Sequence, residues 1–206
     1  MKRGFSLKAC LFGVALALVG GAAMATSPIY PNNGTINPAT YTFTAASTGD
    51  LIGYFAGSGA SYDEQVGLLG SPNGVGLGNH SSQIGEAFNF GHVTAGQVLT
   101  FFDQINTTHD TWYSDASMNS DGIQHIYSTN VVANQIYAGS PAGVYIGFED
   151  LAGGGDANYF DDTFIFTNTI IGGAVPEPGV WALLITGFAG LGMMLRTRRR
   201  AAPTAA

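Results

Sequence analysis

Between residues 26 and 174 the chain contains no lysine and no arginine, yet thirteen of its fourteen acidic residues fall there. The seven cations sit at the two ends, as Lys2, Arg3, Lys8, Arg196, Arg198, Arg199 and Arg200. The stretch therefore carries a formal charge of −13 and can form no lysine or arginine salt bridge. Carboxylates that crowd together within it repel, with no lysine or arginine to relieve them. Binding to nucleic acid is excluded, because displacing counterions from phosphates needs lysine or arginine. The single cysteine, Cys10, lies near the start of the chain. Residues 26–174 thus offer no disulfide, thiolate nucleophile or cysteine zinc ligand.

The ends read as addresses. Residues 1–25 have a basic start, an apolar run and a small-x-small site at Ala23 and Ala25, the pattern of a signal helix cut by signal peptidase. Toward the other end come Val175, Pro176, Glu177 and Pro178, an apolar segment over 180–195, and Arg196, Arg198, Arg199 and Arg200. The prolines block any helix continuing from the preceding domain. The apolar segment can enter a bilayer as a somewhat short helix, with the arginines holding its end on the cytoplasmic side. The predicted organisation is a signal peptide (1–25), an extended leader (26–38), a β-domain (39–172), a C-terminal segment (173–200) and a tail (201–206).

The middle of the chain consists of short β-branched and aromatic runs separated by Gly, Asn, Asp and Ser turns. Strands are expected near 41–44, 51–55, 98–102, 111–113, 123–127, 131–137, 143–149 and 163–169, with at most one short helix near 81–90. The expected fold is all-β, an antiparallel β-sandwich or jelly roll flanked by the two terminal helices. The glycine-dense stretch 67–78 reads as a surface connection; it lacks the lysine of a phosphate-binding loop.

Chemistry concentrates at 147–166, where Glu149, Asp150, Asp156, Asp161 and Asp162 surround Gly153, Gly154 and Gly155. If the flanking strands pair as a hairpin, these acids converge at one rim. Hard oxygen donors without cysteine suit Ca²⁺, which takes about 6–8 oxygens, and Asn158 offers a further one. The spacing is not that of an EF-hand, since Phe160 stands at the third ligand position and Asp161 at the glycine. Two other readings stay open: a solvated acidic turn, and a carboxyl pair for general acid–base hydrolysis of a polysaccharide. His80, His92, His109 and His125 show no short metal-ligand spacing, and only His125 with Asp121 forms a pair to watch. Trp112 and Tyr113 suit either the core or stacking on sugar rings. No nucleophile elbow is present.

Two resemblances add to this. The order Pro-Glu-Pro, apolar segment and arginine cluster resembles the PEP-CTERM sorting signal. That implies transient membrane retention through 180–195, removal of the tail by exosortase near Pro176, Glu177 and Pro178, and an association with exopolysaccharide and biofilm. The run Gly-Phe-Glu-Asp-Leu, the triple-glycine turn, Asp156-Ala-Asn158-Tyr159 and the following acids resemble an uncharacterised FEDL/GGGD-type domain of bacterial secreted and surface proteins. The insertion of Phe160 before Asp161 departs from its pattern. No activity follows from the second resemblance; the sorting address, the acid excess and the missing nucleophile motif together favour a non-enzymatic, calcium-binding surface or matrix module. A secreted polysaccharide hydrolase and a calcium-free carbohydrate-binding module are the alternatives.

Overall fold

The computed structural model describes residues 28–172, together with Thr186 and Phe188. The expected signal peptide with Ala23 and Ala25, the sorting residues Val175, Pro176, Glu177 and Pro178, and the arginine cluster lie outside the described residues. So does the apolar segment apart from Thr186 and Phe188. Among the described residues, no helix is long and apolar enough to cross a membrane.

The domain is all-β with antiparallel pairing throughout. Its strands are β1 (Thr42–Ala45), β2 (Gly49–Gly57), β3 (Glu64–Leu68), β4 (Val75–Gly76), β5 (Ala87–Val93) and β6 (Val98–Leu99). They continue as β7 (Phe101–Ile105), β8 (Thr111–Tyr113), β9 (Ile126–Val131), β10 (Gly143–Phe148), β11 (Asp162–Phe166) and β12 (Thr169–Gly172). A five-stranded sheet has the order β5-β2-β11-β10-β9, a four-stranded sheet β4-β3-β7-β8, and a three-stranded sheet β12-β1-β6.

Period-two alternation decides which side chains meet. In β7, Phe101, Asp103 and Ile105 are buried while Phe102 and Gln104 are only partly so. β11 lies in the middle of its sheet and is buried on both faces, so its sequence Asp-Thr-Phe-Ile-Phe shows no polar side. Phe164 and Phe166 enter the main core, which takes side chains from all three sheets. The rings of Phe101 and Phe166, on different sheets, lie 4.1 Å apart between centroids. Full burial of one such ring stabilises by about 1.5–3 kcal/mol. Ile165 and Tyr145 point the other way, into a smaller cluster with Tyr137 and Val131.

Several element boundaries differ from the sequence expectation. Residues 81–90 form no helix; Gly85 has φ +87°, and β5 begins at Ala87. The run expected at 131–137 ends at Val131, where Asn134, at φ +63°, takes the Gly139 N–H on its side-chain oxygen. The strand expected over 163–169 is divided by Asn168, at φ +57°, into β11 and β12. Residues 28–38 are not simply extended. They form a turn that docks on the acidic loop, with the Gly34 N–H donating to Ala157 O at 3.2 Å and the Asn37 N–H to the Tyr159 hydroxyl at 2.7 Å.

Candidate metal centre

β10 and β11 pair as an antiparallel hairpin with Phe148 opposite Asp162. The loop between them carries the acids, and its shape rests on neighbours. His125 stacks on Trp112 with ring centroids 3.9 Å apart and planes 2° from parallel. The Trp112 indole N–H donates to the Asp150 carbonyl at 2.7 Å, and His125 Nδ1 lies 2.7 Å from the Glu149 carbonyl. His125 Nε2 faces Asp121 Oδ2 at 3.0 Å, and the same carboxylate oxygen takes the Gly153 N–H at 2.9 Å. Asp121 is thereby held down to about 2: burial acts against this, but the N–H groups of Gly153 and Ile123 and the His125 ring outweigh it. Gly155 completes the loop. Its φ is +44°, and a Cβ there would run into the Glu149 carboxylate.

This frame brings Glu149, Asp150 and Asp161 together, each with a carboxylate oxygen within 4.8 Å of the others. Glu149 and Asp150 are buried and Asp161 is half-buried. They line a pocket of about 310 Å³ with Asp156, Leu151, Gly59, Ala60, Ser61 and Tyr62. Backbone donors reach the group: Asp150 N–H to Asp161 Oδ2 at 3.1 Å, Asn158 N–H to Glu149 Oε2 at 3.2 Å, and the Tyr159 N–H, which also acts on Glu149. These do not balance the charge. Burial, then Asp161 and Asp156, push Glu149 up to about 9, and burial and Asp150 push Asp161 up to about 6. Burial likewise raises Asp150.

The six residues singled out from sequence therefore separate. Asp156 is exposed and stands at the pocket rim rather than in the triad. Asn158 does not act as a free oxygen donor. Its side-chain oxygen accepts the Phe160 N–H at 2.7 Å and its amide donates to Asp156 at 2.7 Å, so it shapes the turn. Asp162 points away from its neighbour Asp161, as strand alternation requires. It meets Glu64 of β3 and Asp103 of β7, again with oxygens within 4.8 Å of one another.

Glu64 and Asp103 were not singled out from sequence, although one signal was present. Both occupy the inward positions of alternating strands, Glu64 with Val66 and Asp103 with Phe101 and Ile105. In the β3–β7 register Val66 stands opposite Asp103, which places Glu64 and Asp103 on the same face. All three acids of this deeper group are 0% exposed. Burial first, then the neighbouring acids, drive each far toward the protonated form.

Residues 83–168 match the family model of a domain of unknown function, DUF4114. The matched part includes the hairpin, Asp103, Trp112 and His125 but not Glu64. No curated protein matches the chain, and no solved structure does.

Proposed function

We propose that the protein is an exported cell-surface or matrix module whose β-sandwich is stiffened by calcium held by Glu149, Asp150 and Asp161. The observation that carries this reading is their convergence on one small volume in a region with no lysine or arginine. Calcium accepts carboxylate, carbonyl and water oxygens in flexible geometry at about 2.3–2.6 Å. The open side of the pocket leaves room for water ligands or a polysaccharide hydroxyl. The surface address, processing by exosortase and association with exopolysaccharide rest on the order of terminal segments in the sequence.

A thermal melt of the full chain tests the reading. A cation bound only by the native state stabilises by about 2.7 kcal/mol at a hundredfold excess over Kd, or roughly 5–10 °C in Tm for a domain this size. Millimolar calcium should give this rise over EDTA, magnesium should give less, and Glu149→Gln with Asp161→Asn should remove most of it. Equal responses to both ions, unchanged in the double variant, would defeat the calcium reading.

One observation favours the hydrolase alternative: Glu149, raised to about 9, would keep its proton at neutral pH beside the more acidic Asp161. The carboxylate oxygens, within 4.8 Å of each other, are too close for the roughly 6.5–9.5 Å of an inverting pair and leave only the retaining geometry. Release of reducing ends from acidic or neutral exopolysaccharides by the wild type, lost in Glu149→Gln, would support hydrolysis.

A further inference from the structure

We propose that Glu64, Asp103 and Asp162 bind a second divalent cation, calcium by its ligand chemistry, buried between the four-stranded and five-stranded sheets. The carboxylates come from β3, β7 and β11, so the ion would fasten one sheet to the other. This site uses none of the pocket triad and does not depend on the pocket holding an ion.

Three buried carboxylates converge here, with one oxygen from each within 4.8 Å of the others. All six carboxylate oxygens of the three residues are buried and none has a partner at hydrogen-bonding distance and angle, although the Thr163 N–H is near enough to act against the rise at Asp162. A buried carboxylate without a donor or partner costs several kcal/mol, which natural cores avoid. Here three such groups occupy inward strand positions next to Val66, Phe101 and Phe164, where apolar side chains would pack without cost. No lysine or arginine exists in residues 26–174 to neutralise them. His125, fully buried, has its two ring nitrogens opposite Glu149 and Asp121 instead. Protons or a metal ion remain. Those three oxygens, one from each residue and within 4.8 Å of one another, lie inside the roughly 4.6–5.2 Å that separates opposite ligands of a calcium ion. Asp150 lies against Glu64 on one side and Asp161 on the other, so its carboxylate adjoins both groups. The deeper ion would therefore enter through the pocket.

Native mass spectrometry of the EDTA-stripped full chain, titrated with calcium, decides the matter by counting ions. Wild type should take up two. Glu149→Gln with Asp161→Asn should keep one, and Asp103→Asn or Asp162→Asn should also keep one. Circular dichroism checks that the variants fold. If Asp103→Asn and Asp162→Asn fail to fold, the comparison of wild type with the pocket double variant still decides. A wild type that takes at most one ion, lost entirely in the pocket variant, overturns the proposal. So does an unchanged count in folded Asp103→Asn and Asp162→Asn, which leaves the three acids as protonated core residues. A pocket variant that matches wild type, with one ion lost in Asp103→Asn, would instead sink the pocket reading and leave the buried site standing.

Discussion

The two acid groups lie side by side, linked through Asp150, yet the fold treats them differently. Around the pocket, the backbone N–H groups of Asp150 and Asn158 reach carboxylate oxygens, and the pocket opens to solvent. Around Glu64, Asp103 and Asp162 solvent is excluded and no carboxylate oxygen has a partner in hydrogen-bonding geometry. The pocket group meets solvent and backbone donors, yet without an ion Glu149 still holds its proton up to about pH 9. The inner group must trade its charge for a proton or an ion. Asp161, the last residue of the loop, and Asp162, the first of β11, belong to opposite regimes because consecutive side chains face opposite ways.

The largest expected effect is on pH dependence without calcium. The folded-state values of Glu149, at about 9, and Asp161, at about 6, lie above the usual carboxyl range near 4. The native state then holds protons that the unfolded chain has released, so stability is highest below about pH 4 and falls as pH rises toward about 9. Each extra proton held steepens the fall by about 1.4 kcal/mol per pH unit. Urea melts in EDTA from pH 5 to pH 9 should show this decline, and saturating calcium should flatten it. A calcium-free chain equally stable across that range would break the contrast between the two groups.

A smaller effect should follow from Gly155→Ala, which acts on the pocket alone. The new Cβ meets the Glu149 carboxylate at a backbone conformation unfavourable to alanine. Calcium titration by calorimetry should show affinity at the pocket falling about tenfold, the equivalent of about 1.4 kcal/mol, while the inner ion is retained. The smallest effect belongs to Asn158→Ala. Its side chain serves the Phe160 N–H and Asp156, so a loss of about 0.5–1.5 kcal/mol in stability is expected with calcium affinity unchanged. A marked loss of affinity would return Asn158 to the ligand set.

What the sequence disclosed, and what it concealed, follows the same division. The hairpin acids were legible because they crowd a short loop between two strands whose alternation is plain. Phe148 and Asp162 then only had to pair. Glu64 and Asp103 are 39 positions apart and meet through the β3–β7 register and the packing of one sheet on another. Local density carries no trace of that. The alternation at Phe101, Asp103 and Ile105 did hold a trace, as an acid in an apolar row. The misplaced strand ends have a different origin: Asn134 and Asn168 adopt positive φ, which asparagine tolerates and which its identity alone does not require.

The Trp112–His125 pair gives the domain an optical gauge of its own. Trp112 is the one tryptophan among the described residues, and its N–H is fixed to the carbonyl of Asp150. On the strand it stands opposite Asp103, one of the inner acids. A single indole thus touches the loop that shapes the pocket on one side and neighbours the buried group on the other. Its emission depends on its hydrogen bond and on the stacked imidazole, so a shift of the 149–150 backbone should change its brightness or wavelength. With Trp181 of the C-terminal segment replaced by phenylalanine, ion arrival could therefore be followed in real time without a label.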